Sequence, residues 1–389
     1  MKKIKKIIPY GRQSIDSKDI KSVLTTLKSD YLTTGPKAKI FEKIFEKKIN
    51  VKHAITCSNG TAALHLAFLS IGLGKNDVVV LPVVNFIASV NISHILGAKI
   101  YFADVDSKTG QMTPEKLNQC IKFHDLKKIK AVVTMYNGGC PNNAKEFLKL
   151  KNKYKFYLIE DACHALGAKY SIKNKELVGS CKYSDISTFS FHPVKSITTG
   201  EGGMVTTNNK KIFEKINLLK NHGIVRKKSN NKNYFWSYKV VIPGYNYRLS
   251  EINCSLGISQ LEKIEGFINI RQKIFKLYNQ KLKHLKNKIV LPINFEDQKS
   301  AHHLYVICLN TDKVKISRNK LIKELYKYGI TTQVHYIPVH HQPFYKKYSK
   351  YDFPDAEKYY DSCLSLPIYP KLSKKKIIYI CNVIQKLLN

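Results

Sequence analysis

The sequence predicts an α/β protein: a mainly parallel sheet with helices on both faces, followed by a smaller C-terminal α/β domain. Two patterns carry this reading. Short apolar runs alternate with helical stretches through the first two thirds of the 389 residues. After Gly244 the pattern changes to long helices interleaved with a few strands.

Taken in order, strands are expected at Val78–Leu81, Ile100–Phe102, Ala131–Thr134 and Phe156–Ile159. Each is a short run rich in β-branched or aromatic residues, the signature of a strand buried on both faces. Helices are expected between them over Thr61–Ile71, Phe86–Leu96 and Ala144–Tyr154, long enough to cross from one parallel strand to the next. Beyond Gly244, helices are expected over Ser250–Lys263 and Asn269–Leu285. Strands are expected over Tyr305–Leu309 and Thr331–Val334 around a helix from Arg318 to Tyr328, and a last helix over Lys374–Leu388. This places a large domain with its N-terminal segment at residues 1–255 and a small domain at 256–389. The stretch Arg226–Tyr234, with Lys227-Lys228-Ser229-Asn230-Asn231-Lys232-Asn233, is low in complexity and reads as a mobile loop.

Composition removes several function classes. A hydrophobic content of 43% is ordinary for a globular chain. No apolar run approaches the ~18 residues of a membrane-spanning helix. The basic start Met1-Lys2-Lys3-Ile4-Lys5-Lys6 is not followed by the apolar stretch and small-residue cleavage site of a signal peptide. A cytoplasmic protein with no membrane partner is expected. The net charge of +38 invites a nucleic-acid partner, but only five of the 66 basic residues are arginines, the side chains that fork onto bases and phosphates. Scattered lysines among many Ile and Asn read as a solvated surface, with no basic recognition helix. That positive field would still favour a polyanionic small substrate. Nine cysteines, an odd number with no Cys-x-x-Cys pair, and no zinc-like His spacing point to reduced thiols and no metal. Cys163 reads as a small packing residue, with a reactive thiol as the rival.

The chemistry sits at the ends of strands. Tyr157-Leu158-Ile159-Glu160-Asp161-Ala162 is a buried strand ending in carboxylates. Lys195 lies in Phe189-Ser190-Phe191-His192-Pro193-Val194-Lys195-Ser196-Ile197-Thr198-Thr199-Gly200-Glu201-Gly202-Gly203, apolar and tight-turning, unlike the setting of a surface lysine. A reactive amine, a buried acid and a Gly/Ser/Thr loop are what pyridoxal 5′-phosphate (PLP) requires. The amine carries it as a Schiff base, the ionised acid holds the pyridine nitrogen protonated, and the loop binds phosphate. Lys195 and Asp161 are the candidates for the first two roles. Ser58-Asn59-Gly60-Thr61 opens a helical run, so Gly60 and Thr61 either bind the phosphate at a helix N-terminus or belong to a plain cap. Ser190 is within reach of the same phosphate. Phe86 follows a strand and either stacks on the cofactor ring or packs in the core. His164 either touches the ring hydroxyl or fills its turn.

Three of these stretches carry a family likeness. Glu160-Asp161-Ala162-x-His164-Ala165-x-Gly167, Phe189-Ser190-Phe191-His192-x-x-Lys195 with Gly200-Glu201-Gly202-Gly203, and Gly244-Tyr245-Asn246-Tyr247-Arg248-Leu249-Ser250 resemble the DegT/StrS-type sugar-nucleotide aminotransferases over nearly the whole chain. The resemblance implies the fold type I, aspartate aminotransferase-like PLP-dependent transferase architecture, with a mainly parallel seven-stranded sheet. Further pieces are Ile8-Pro9-Tyr10, Ser29-Asp30-Tyr31-Leu32-Thr33-Thr34-Gly35, His303-Leu304-Tyr305 and Gln333-Val334-His335-Tyr336-x-Pro338. They are most similar to the branch that aminates a UDP-linked 4-keto-6-deoxy N-acetyl sugar for pseudaminic acid synthesis, with L-glutamate as donor. Legionaminic, perosamine and bacillosamine types are the alternatives.

The resemblance implies that Tyr10, Asp30, Tyr31, Leu32, Thr33, Gly60, Ser190, Asn246, His303, Leu304, Tyr305, Val306 and His335 contact cofactor or sugar nucleotide. It also implies a homodimer, with Asn246 reaching into the partner's site. Two departures stand out: Gly60 where that branch often has Ala, and Tyr136-Asn137-Gly138-Gly139-Cys140 in place of a Tyr-Gly or Tyr-Ala turn. A related dehydratase would carry His in place of Lys195. A non-catalytic regulator would not need Asp161, Lys195 and Asn246 together.

Overall fold

The computed structural model describes residues 7–173, 176–226, 236–293, 298–348 and 351–389. The stretch 227–234, expected as a mobile loop, lies outside the described residues. Two helices open the chain, α1 (Ser17–Leu27) and α2 (Pro36–Ile49). The large sheet follows: β1 (His53–Cys57), α3 (Gly60–Ser70), β2 (Val78–Pro82), α4 (Ala88–Ile95), β3 (Lys99–Ala103), α5 (Pro114–Phe123), β4 (Ala131–Met135), α6 (Ala144–Tyr154), β5 (Tyr157–Asp161), β6 (Ile186–Ser190), β7 (Gly203–Thr207) and α7 (Lys210–Leu219). β8 (Ile224–Val225) pairs antiparallel with β9 (Lys239–Val240). Then come α8 (Glu251–Glu262), α9 (Ile264–Leu282), β10 (Ile289–Val290), β11 (Tyr305–Leu309), α10 (Arg318–Lys327), α11 (Pro354–Ser362), β12 (Cys363–Leu366) and α12 (Lys374–Leu388).

The seven-stranded sheet has the order β1-β7-β6-β5-β4-β2-β3. Pairs from β3 to β6 are parallel, while β7 runs antiparallel to both β6 and β1. The parallel strands are those the sequence marks most clearly, and strand pleating explains their two-sided burial. Val79, Leu81, Val133 and Ile159 join a core with α3, α4 and α7. Their chain neighbours Val80, Val132 and Leu158 face α5 and α6. A third core, under Phe41, Phe45 and Ile49 of α2, takes Phe189, Phe191 and Met204. Among the described residues, no helix is long and apolar enough to cross a membrane.

The second sheet, β10-β11-β12, is antiparallel and packs with α9, α10, α12 and Ile8 of the N-terminal segment. Val339, Tyr345, Phe353, Ala356 and Tyr359 join the core of the large sheet instead. Thr331–Val334, expected as a strand, is not one: only Gln333 pairs, in an isolated bridge to Ser365. The following residues turn away to line a cavity.

Glu160 is 1% exposed and shows how this fold accommodates a buried carboxylate. It accepts hydrogen bonds from Tyr136 Oη (2.5 Å), Tyr170 Oη (2.6 Å) and Ser187 Oγ (2.5 Å). Substituting Glu160→Ala would strand three buried hydroxyl donors. It should cost at least about 3 kcal/mol, read from the urea midpoint; a loss within measurement error would show that the network is dispensable.

Candidate active site

A cavity of about 920 Å³ opens beyond the carboxyl ends of the parallel strands, where ligands of such sheets bind. Asp161, the last residue of β5, closes its floor at 2% exposure. Its Oδ1 accepts from the Cys163 N–H at 3.1 Å. Burial pushes the Asp161 carboxyl above its ordinary value, while the Cys163 thiol and N–H and the Lys195 charge pull it back. The ionised carboxylate expected from sequence therefore needs a cation in contact. Lys195 follows β6 on a turn closed by its own N–H to the His192 carbonyl at 2.9 Å, and it lines the same cavity. Burial lowers its ammonium pKa, and Cys163 and Asp161 oppose that shift.

Facing this pair is the start of α3. Asn59 caps the helix, its Oδ1 accepting from Ala62 N–H at 2.8 Å. That leaves Gly60 and Thr61 as a first turn on the cavity wall, where free N–H groups and the macrodipole favour an anion. A Cβ on Gly60 would stand 2.8 Å from Ser190 Cβ, so glycine lets the helix start abut the Ser190 hydroxyl. Phe86 lies on the cavity, 49% exposed and not packed in the core, its ring 5.8 Å from Tyr336.

A sequence profile of the DegT/DnrJ/EryC1/StrS aminotransferase family matches residues 13–385. The chain belongs to the DegT/DnrJ/EryC1/StrS aminotransferase family. It is 37% identical over 376 residues, 96% of each chain, to the UDP-4-amino-4,6-dideoxy-N-acetyl-beta-L-altrosamine transaminase of Campylobacter jejuni. PseC of Helicobacter pylori, an aminotransferase of pseudaminic acid biosynthesis, superposes with TM-score 0.90 at 28% identity, covering 98% of this chain and 99% of that one. A proposed sugar aminotransferase of Streptococcus pneumoniae in its PLP-form gives 0.87 at 27% identity, over 98% of this chain and 100% of that one. The mostly parallel seven-stranded sheet is that of fold type I.

In this aminotransferase, the remaining cavity wall comes from distant segments. Tyr10 lines it from the N-terminal arm, its hydroxyl pKa raised by burial. His164 is 1% exposed, with its Nε2 3.1 Å from Tyr336 Oη and its buried Nδ1 without a partner. Its ring lies 4.3 Å from that of His303, which also lines the cavity. His335 joins them, its Nδ1 2.8 Å from Ser365 Oγ.

Other expected site residues do not reach this cavity. Asp30, Tyr31, Leu32 and Thr33 follow α1 and are exposed. Asn246 is tied through its backbone to Asn221, outside the cavity lining. The segment His303–Val306 divides at β11. Leu304 is buried without lining the cavity. Tyr305 turns into the second core, stacked 4.6 Å from Tyr278 with its hydroxyl on Asn279 Oδ1 at 2.7 Å. Val306 packs against the core of the large sheet. Strand alternation sends Tyr305 and Val306 opposite ways, and of this segment His303 lines the cavity. Asn59, Asn85, Tyr247 and Tyr336 line the cavity although the sequence did not single them out. Three of them stand inside motifs that the sequence did mark: Asn59 in Ser58–Thr61, Tyr247 in Gly244–Ser250 and Tyr336 in Gln333–Pro338.

The unusual turn after β4 registers these walls. Asn137 Nδ2 donates to the His335 carbonyl at 3.2 Å and to Tyr359 Oη at 3.0 Å. Tyr359 Oη donates in turn to the same carbonyl at 2.9 Å. The Gly138 carbonyl accepts from His303 N–H at 3.0 Å, and the Gly139 carbonyl from Ala301 N–H at 2.9 Å. Gly139 sits at φ +97°, where an added Cβ would lie 2.4 Å from the His164 carbonyl oxygen. Gly139→Ala should cost about 2–4 kcal/mol in denaturant unfolding; full stability in the variant would show that the turn can shift.

The histidines also set a pH dependence. Burial, then neighbouring positive charge, pushes His302 down to about 4 and His335 to about 3, with His164 and His303 well below their ordinary value of 6.5. These imidazoles refuse protons that the unfolded chain accepts. Their contribution is complete above about pH 6.5 and is lost as pH falls toward the folded values. His302 alone should withdraw about 2 kcal/mol between neutrality and about pH 5. Urea midpoints at the two pH values check this, and His302→Gln should narrow the gap; an unchanged pH slope in the variant would refute the assignment.

Proposed function

We propose that this chain is a PLP-dependent aminotransferase that moves the amino group of L-glutamate onto a UDP-linked 4-keto-6-deoxy N-acetyl sugar, the step that gives a 4-amino sugar nucleotide for pseudaminic acid synthesis. The observation that carries it is the buried Asp161 and the part-buried Lys195 lining one cavity, with the α3 helix start on the same wall. The residues fit the cofactor in three respects. The cradle of Gly60, Thr61 and Ser190 offers N–H and hydroxyl groups to a phosphate and has no room for a Cβ at Gly60. Asp161 lacks a firm cationic partner in a place where burial disfavours its charge. Phe86 presents an exposed ring where a flat heterocycle could stack.

When bound, PLP supplies an electron sink next to the substrate Cα and carries the amino group between donor and acceptor. The chain supplies the rest. Asp161 would hold a proton on the pyridine nitrogen through a charge-assisted bond. Lys195 Nζ would hold the cofactor and would serve as the base at the substrate Cα. Its lowered pKa keeps the amine neutral more often than a surface lysine. His164, held by Tyr336, would orient the ring hydroxyl. Tyr10, His303 and His335 wall the sugar side and exclude water.

A homodimer completes the reading. Ile20, Leu24 and Leu27 on α1, Tyr31 and Leu32 after it, and Trp236, Tyr238, Val240 and Val241 in and around β9 are all exposed. So much apolar surface fits a partner interface. Asn246, which does not line this chain's own cavity, follows that strand and would serve the partner's site.

The absorption spectrum of the purified protein tests the proposal. A visible band that bleaches on adding L-glutamate is expected, and a colourless protein that takes up no PLP would overturn it. Lys195→Ala should lose turnover by at least about 10³-fold while keeping its melting temperature; near-normal activity in that variant would end the reading.

A further inference from the structure

A second group of ligating side chains lies outside the cavity. The turn Val339–His341 sets two consecutive histidines opposite Glu357 of α11. His340 Nε2 lies 2.7 Å and His341 Nε2 2.8 Å from the same carboxylate oxygen, Glu357 Oε1. Among the described residues, these three side chains form a group that could hold a metal ion, with all their ligand atoms within 4.8 Å of one another. The two rings are crossed at 67°, so their nitrogens converge from different directions. One side of the group is walled, with His340 6% exposed and its ring 4.9 Å from Phe353. The other side is open, His341 and Glu357 being 34% and 37% exposed. Neither histidine lines the catalytic cavity, and the proposed reaction uses none of the three.

We propose that His340, His341 and Glu357 form a binding site for a zinc-class divalent ion, with two imidazole nitrogens, one carboxylate oxygen and water as the remaining ligand. Two imidazoles with one carboxylate suit zinc, cobalt or nickel, whereas magnesium and calcium favour all-oxygen sets. Without metal, both rings donate N–H to Glu357. Metal binding displaces the proton from each Nε2, and in a neutral ring that proton moves to Nδ1. His340 Nδ1 is buried and has no partner, so the proton arriving there stays unpaired. That cost weakens binding relative to a zinc centre whose histidines have outer-shell acceptors. Sequence spacing gave no hint of it: Glu357 lies 16 residues beyond His341, and only the docking of α11 closes the trio.

The site would staple the turn to α11 at the edge of the catalytic cavity. Val339 N–H already binds the Val83 carbonyl at 2.8 Å, just past β2, and Gln342 lines the cavity.

Calorimetric titration of the chelator-washed full chain with zinc chloride near neutral pH tests the proposal, with magnesium chloride as control. One equivalent of zinc should bind saturably and raise the melting temperature, and magnesium should do neither. His341→Ala and Glu357→Gln should each weaken zinc binding at least about tenfold. His341 is part-exposed, so the metal-free melting temperature of its variant should match the parent and exclude misfolding. Absence of saturable zinc binding would overturn the site. Equal binding by parent and both variants would also overturn it, placing the metal on other groups such as the thiols.

Discussion

A carboxylate buried at the end of a central parallel strand is the constraint around which this molecule is arranged. Two acids sit side by side at the end of β5, and pleating sends them to opposite faces of the sheet. Glu160 meets three hydroxyl donors and is satisfied by the fold itself. Asp161 meets one N–H, a thiol and a lysine amine that is itself depressed by burial. An uncompensated buried charge costs several kcal/mol, so one face of the strand is finished and the other is left for a ligand to finish. Chemistry alone does not distinguish the two acids. Their partner lists do.

That unfinished face fixes what the surroundings must supply. Lys195 reaches the floor from a turn after β6, and the start of α3 faces it because Gly60 permits contact with Ser190. The opposite wall cannot come from the parallel strands, whose ends are already used. It is built from Tyr10, His303 and the 333–337 segment, which belong to chain far away in sequence. The turn Asn137–Gly139 ties these pieces to β4 by contacts with the backbone of three histidine-bearing segments. Arg271 adds a buried brace, donating to the His303 carbonyl at 3.2 Å and the Ile368 carbonyl at 2.9 Å. Cavity shape thus depends on how the second sheet is registered against the first.

What the sequence revealed follows from this division. The parallel strands β2 to β5 were legible because burial on both faces writes nearly continuous apolar runs. β1 and β7 were not, because Thr56, Thr206 and Thr207 are fully buried polar residues that interrupt the pattern. Thr331–Val334 carried a strand pattern, yet its only pairing is the bridge from Gln333. In the cavity, Asp161, His164, Ser190 and Lys195 were legible because each sits in a local motif at a strand end. Asn137 was visible only as a departure from a familiar turn, since its partner His335 lies 198 residues away. Of the 303–306 segment, expected to contact cofactor or sugar nucleotide, His303 lines the cavity and β11 begins at Tyr305.

The three cavity histidines have a shared electrostatic logic. All lie near Lys195, and its charge adds to burial in keeping them neutral. A protonated imidazole there would repel the lysine ammonium and draw Asp161 into a pairing that competes with any ligand cation. Neutral rings offer shape and hydrogen bonds without disturbing the acid–amine pair on the floor. The attraction that an anionic substrate needs is then left to the α3 terminus and to the lysine-rich surface, whose field extends about 10 Å at ordinary ionic strength. Charge that recruits and charge that reacts are in this way kept on different parts of the protein.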